Sequence, residues 1–144
     1  MKLQVEIRNL NAVVPTYAYK NDAGMDLYSN EDLIIHSREI GKIRTGIAIK
    51  VPIGHVGLIL DKSGIAANYG FKVMGGVIDP GYAGEVIVAL SNLNGKVYHI
   101  ASGNKIAQLL IIPVEHPEIE IVDKIETSDR GEKGFGSSGL TKSK

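Results

Sequence analysis

A few short segments of this 144-residue chain carry side chains that could bind or activate something. Gly75-Gly76-Val77-Ile78-Asp79-Pro80-Gly81-Tyr82-Ala83-Gly84-Glu85 sets a carboxylate and a tyrosine three residues apart, just after a glycine pair. Glycines ahead of a strand let something approach the backbone closely. A carboxylate and a tyrosine facing one pocket could handle a small molecule there. Asp, Pro and Gly are also what a turn requires, and taken alone the turn is the simpler reading. Asp61-Lys62-Ser63-Gly64 puts a cation and a hydroxyl at the start of a short helical stretch, whose free N–H groups favour anions such as phosphate. An N-cap and a solvated lysine account for the same residues. Asp26, in Ala23-Gly24-Met25-Asp26-Leu27, fits either a buried, hydrogen-bonded carboxylate or one that holds hydrated magnesium. Finally, Gly134-Phe135-Gly136-Ser137-Ser138-Gly139 satisfies G-x-G-x-x-G. That pattern binds dinucleotides only between a strand and a helix. Only Leu140 to Lys144 follow it, too few for a helix and a returning strand, so the dinucleotide reading fails on context.

Other chemistries are excluded more directly. There is no cysteine, hence no disulfide, thiolate zinc site or thiol nucleophile. His36, His55, His99 and His116 are scattered without metal-ligand spacing, and no G-x-S-x-G surrounds a serine. A formal net charge of zero argues against a broad nucleic-acid footprint, though a local cationic site remains open. No apolar run approaches membrane-spanning length and Met1 to Leu10 lacks a signal-like core. The expectation is a cytoplasmic protein engaging neither nucleic acid nor membrane.

The elements that must position these residues follow a period of two. Leu3, Val5 and Ile7 share one face of Lys2 to Arg8. Further β-rich runs are Ile43 to Val51, His55 to Leu60, Glu85 to Leu90, Lys96 to Ile100 and Ile106 to Ile112, and Ile119 to Val122 alternates again. Turn residues separate them, and Asp79-Pro80-Gly81 reads as the tip of a hairpin. Many short strands with frequent turns predict an all-β barrel, sandwich or jelly roll. One helix is expected over Ser63 to Tyr69, with Ser63 as N-cap and Gly70 as its stop. From Thr127 the chain turns to Gly, Ser and Lys, giving a domain over 1–126 and a flexible tail over 127–144 that carries Phe135.

These segments occur in an order that resembles the five motifs of the trimeric dUTPase family (deoxyuridine triphosphate nucleotidohydrolases). Ala23 to Leu27 is similar to A-G-x-D-L, Asp61 to Ala66 to P-R-S-G-L-A, and Gly76 to Glu85 to G-V-I-D-x-x-Y-R-G-E. Gly103 to Leu109 is similar to G-x-R-I-A-Q-L, and Arg130 to Gly139 to R-G-x-x-G-F-G-S-T-G. The likeness spans about residues 2 to 140. It implies a distorted jelly-roll-like β-barrel and a homotrimer with shared active sites. The implied reaction is magnesium-dependent hydrolysis of dUTP to dUMP and pyrophosphate, which limits uracil in DNA and supplies dUMP for thymidylate synthesis. By the same resemblance the tail is a lid, and its glycines serve closure over a nucleotide.

The resemblance also implies roles. Asp79 is the general base that activates a water for attack on the α-phosphate, and Asp26 holds Mg2+ through water. Lys62, Ser63, Gly64 and Gln108 contact phosphates. Arg130 and the N–H groups of Gly136, Ser137 and Ser138 clamp the γ-phosphate, and Phe135 stacks over uracil. Backbone groups of Gly76, Val77 and Ile78 read the base edge, and Tyr82 packs under the deoxyribose, leaving no room for a 2′-hydroxyl. The chain departs from the family pattern at Lys62 and Lys105, where arginine is usual, and at Ala83, where arginine often follows the tyrosine. Lysine keeps the charge and loses the bidentate fork. The alternative is a dCTP deaminase, or a bifunctional deaminase, of the same superfamily; such an enzyme needs an extra glutamate near the pyrimidine, and Glu85, at a place where many dUTPases also carry an acidic or polar residue, does not decide between them.

Overall fold

In the computed structural model, which describes residues 1–132 and 134, the period-two segments become eleven short strands. They are β1 (Gln4–Ile7), β2 (Met25–Tyr28), β3 (Leu33–Ile35), β4 (Ile40–Arg44), β5 (Ile47–Lys50) and β6 (His55–Leu60). After helix α1 (Ser63–Tyr69) come β7 (Phe71–Val73), β8 (Val77–Ile78), β9 (Ile87–Asn92), β10 (Tyr98–Ile100) and β11 (Lys105–Pro113). The pairs are antiparallel: a four-stranded sheet β2-β11-β6-β8, a three-stranded sheet β4-β9-β7, and the two-stranded ribbons β1-β5 and β10-β3. Alternation decides what is buried. In β9, Val88, Leu90 and Asn92 point inward, and in β4 the buried position Ile43 faces the same core. Leu27, Ile47, Ile106 and Leu109 complete it from the other strands. The sheets do not close on one another, and the result is the all-β, distorted jelly-roll-like architecture with one short helix. Among the described residues no helix is long and apolar enough to cross a membrane.

Four expectations change. Ile43 to Val51 is not one strand. The chain breaks at Thr45-Gly46, where the Thr45 hydroxyl donates to the Val86 carbonyl at 2.6 Å and Gly46 adopts φ +71°. A Cβ on Gly46 would lie 2.7 Å from that of Ala12, so only glycine makes this bend. Ser63 is the first helical residue and Lys62 the N-cap, with no side-chain cap bond. Asp79-Pro80-Gly81 does not join a hairpin: β8 pairs with β6 and β9 with β4 and β7, so residues 79–86 cross between two sheets. Ile119 to Val122 joins no strand; Ile119 and Ile121 are 94% and 95% exposed, for want of a partner edge among the described residues.

Candidate functional site

The residues singled out above fall into two clusters on the four-stranded sheet. The first is built across β2, β11 and β6, where Asp26 sits opposite Gln108 and Gln108 opposite Leu60. Asp26 is also fixed from the other side by mutual main-chain bonds with Thr16. Its carboxylate is buried, with Lys62 Nζ donating to Oδ1 at 2.6 Å and Lys105 Nζ 2.7 Å from Oδ2. Burial pushes the Asp26 carboxyl up, but the ammonium groups of Lys105 and Lys62 more than reverse this and hold it below the ordinary carboxylate range. Each oxygen of the carboxylate thus faces one ammonium group.

Lys62 reaches Asp26 because the segment before α1 is gripped on both sides. Gln108 Nε2 donates to the Asp61 carbonyl at 2.8 Å. The Asp61 carboxylate accepts the Val73 N–H at 2.7 Å and pairs with Lys72 at 2.6 Å. Ser63 and Gly64 lie exposed beside this grip at the start of α1. Asp26, Lys62, Ser63, Gly64 and Gln108 therefore share one edge, which carries two ammonium groups on one carboxylate.

The second cluster surrounds a cavity of about 180 Å³ lined by Gly76, Val77, Ile78, Asp79 and Tyr82, with Ile59, Glu85, Val86 and Ile87 completing the wall. Its floor is main chain. Gly76 adopts φ +115°, and a Cβ there would stand 2.5 Å from the Ile59 carbonyl oxygen. The Gly76 carbonyl accepts the Ile59 N–H at 2.8 Å, drawing the loop against β6. The turn at Asp79 closes when the Tyr82 N–H donates to its carbonyl at 3.0 Å. The Asp79 side chain stays exposed at the mouth. Tyr82 then curls back so that its hydroxyl donates to the Glu85 carbonyl at 2.9 Å, over Gly84, where any Cβ would strike the phenol.

Glu85 is an anchor. It receives Arg44 at 2.6 and 3.0 Å and the Gly46 N–H at 2.8 Å. Bonding to Arg44, with the Gly46 N–H in support, outweighs burial and keeps the Glu85 carboxyl below its ordinary range. Arg130 is exposed. Phe135, Gly136, Ser137 and Ser138 lie outside the described residues. Sequence reasoning missed Arg44 and Asp61 as positioning groups and gave Lys105 no part in the site. Nothing local marks the partners of the first two, and Lys105 was marked only by its place in Gly-Asn-Lys-Ile-Ala-Gln-Leu.

Fold and site define a class: an all-β chain with a main-chain-lined pocket and a lysine–carboxylate cluster on one sheet. The family model for dUTPase matches residues 11–139, and the chain belongs to that family. It is 42% identical over 130 residues to the deoxyuridine 5'-triphosphate nucleotidohydrolase of Anaplasma marginale, covering 88% of each chain. With that of Clostridium kluyveri it shares 40% over 141 residues, covering 96% of this chain and 99% of the relative. Among solved structures, a mutant dUTPase of Staphylococcus bacteriophage 80alpha with dUpNHpp superposes with a TM-score of 0.90 at 32% identity, covering 96% and 99% of the two chains. A mutant dUTPase from phage phi11 of S. aureus, whose structure concerns coordination of a structural Mg(II) ion, superposes with a TM-score of 0.81 at 29% identity, covering 86% and 98%.

Proposed function

We propose that this protein is a cytoplasmic dUTP diphosphatase, cleaving dUTP to dUMP and pyrophosphate. The observation that carries the reading is the 180 Å³ pocket, with its main-chain floor at Gly76, the Tyr82 ring on its wall and the Asp79 carboxylate at its mouth. A floor of peptide groups offers donors and acceptors to a pyrimidine edge, and Tyr82 beside it leaves no space for a 2′-hydroxyl. Excluding an added group by clash discriminates strongly. Asp79 acts as general base, taking a proton from the water that attacks the α-phosphate, and its worth lies in holding that water in line. Negative charge spreading over phosphoryl oxygens then calls for cations and N–H donors. Lys62, Ser63, Gly64 and Gln108 supply these.

Asp26 on β2 stands three interstrand spacings, roughly 14 Å, from the β8 end of the pocket. That separation supports a site completed by neighbouring chains, one offering its pocket and another its lysine edge, in a homotrimer. Residues 127–144 form the tail of a 1–126 domain and close the site, Arg130 and the N–H groups of Gly136, Ser137 and Ser138 on the γ-phosphate and Phe135 over the base. Asp26, a buried carboxylate held ionised, would hold Mg2+ through water. A magnesium ion bound with the triphosphate supplies charge neutralisation to the phosphate oxygens. The deaminase alternative loses ground at Glu85. A carboxylate occupied by Arg44 and the Gly46 N–H is poorly placed to shuttle protons to a pyrimidine ring.

The test is a product assay with dUTP, dCTP, dTTP and UTP in magnesium. Pyrophosphate and dUMP from dUTP alone are expected. Conversion of dCTP to a uracil nucleotide would overturn the assignment. Removing residues 130–144 is expected to leave the fold intact and cripple turnover; a fully active truncation would sink the lid.

A further inference from the structure

The loop that carries Tyr82 has open space on both of its faces. In front lies the 180 Å³ pocket. Behind residues 80–83, between them and β1 and β5, lies a second cavity of about 410 Å³. The two feet of the loop are secured, one by the pairing of Ile78 with β6 and the other by the grip of Arg44 and Gly46 on Glu85. Behind its middle lies the larger cavity. What spans the rear cavity is Arg8, at the end of β1. Its Nη2 donates to the Ala83 carbonyl at 2.7 Å and to Glu6 Oε2 at 3.1 Å. The Arg8 main chain is itself tied down, its N–H donating at 2.8 Å to the carbonyl of Gly46, the same residue whose N–H holds Glu85.

We propose that Arg8 is a positioning residue for sugar discrimination: a strut from β1 that holds the Tyr82 loop forward, so that the phenol keeps a 2′-hydroxyl out. The inference rests on the functional reading above and extends it to a residue outside the pocket. Arg8 meets the loop at a main-chain carbonyl beside Tyr82, so a shift there moves the tyrosine as a lever moves its tip. Ribonucleotides are excluded by a clash that requires the ring in place. A loop free to sink into the rear cavity relieves that clash, while dUTP, which needs less room, is affected less.

The experiment measures kcat/KM for dUTP and for UTP in the full chain and in Arg8→Ala, Arg8→Lys and Glu6→Gln, with the thermal midpoint of each. In Arg8→Ala the dUTP-over-UTP preference is expected to fall three- to tenfold, about the net worth of one ordinary hydrogen bond. Most of the change should come through UTP. Arg8→Lys, which retains a donor, should stay within about twofold of the parent, and so should Glu6→Gln, which removes the Arg8 partner and leaves the Ala83 contact. A preference that drops less than threefold in the alanine variant, or as far in the lysine variant as in the alanine one, overturns the strut. A parent protein that itself fails to prefer dUTP brings down the functional reading and the strut together; a parent that prefers it while Arg8→Ala keeps that preference to within threefold brings down the strut alone.

Discussion

The lysine edge and the Tyr82 loop solve opposite problems. At the edge, three segments distant in sequence are joined through side-chain charge: Asp26 to Lys62, Asp26 to Lys105, Asp61 to Lys72. In the loop, the pocket is lined by glycine main chain, apolar side chains and Tyr82, with the Asp79 carboxylate at its mouth and the Glu85–Arg44 pair beneath. Phosphates are alike in every nucleoside triphosphate, so the edge needs strength and little shape. Base and sugar differ by single groups, so the loop needs shape and little charge. The same protein therefore should lose affinity when one cluster is altered and selectivity or chemistry when the other is.

The largest effect that sharpens this contrast is at Asp79. Asp79→Asn is expected to cut turnover by at least about a hundredfold, the low end of what a general base contributes, while a non-hydrolysable dUTP analogue still binds in calorimetry. Turnover near the parent level would break the contrast at its root. Next is the pocket floor. Gly76→Ala must place a methyl against the Ile59 carbonyl at a φ of +115°. Backbone strain of this kind costs about 1–3 kcal/mol, so the thermal midpoint should fall by roughly 3–10 °C. KM for dUTP should rise with it, and an unchanged KM would mean the base is read elsewhere. A smaller effect is expected at Lys62. Lys62→Met should weaken nucleotide binding about tenfold, with a difference that shrinks as salt rises, whereas Lys62→Arg should bind at least as well as the parent. A loss insensitive to salt would say that the edge works by shape after all.

The smallest effect is on stability in acid. Burial pushes the Asp61 carboxyl up, and Lys72 with the Val73 N–H more than reverses it, so that its folded value is lowered. The stability this contributes is present above the unfolded value, about pH 3.9, and drains away as pH falls through the folded one. Urea unfolding of Asp61→Asn should therefore show a deficit at pH 7 that closes toward pH 3. A deficit independent of pH would remove charge from the account.

Much of this was legible in the chain. His55 to Leu60 and Ser63 to Tyr69 coincide with β6 and α1, because a run of alternating or branched apolar residues and a short cap-to-glycine span are local signals. Asp26, Lys62, Gln108, Asp79 and Tyr82 were named from the sequence, and the structure sorts them into two clusters. What could not be read was partner choice. Asp79-Pro80-Gly81 has every mark of a hairpin tip, yet β8 and β9 find their neighbours in different sheets. Thr45-Gly46 interrupts an unbroken β-rich run because a buried hydroxyl meets the carbonyl of Val86, 41 positions away. Arg8 on Ala83, across 75 positions, leaves no trace in either segment.

The place of β11 in the order β2-β11-β6-β8 has a consequence for biosynthesis. Strand β2 leaves the ribosome well before residues 105–113, which make its sheet partner. Until β11 is made, β2 and one side of β6 are open edges, able to pair with whatever strand passes. The nascent chain cannot finish this sheet in order of emergence. The sheet is completed when an inner strand, made after the other three, inserts between two that have been waiting.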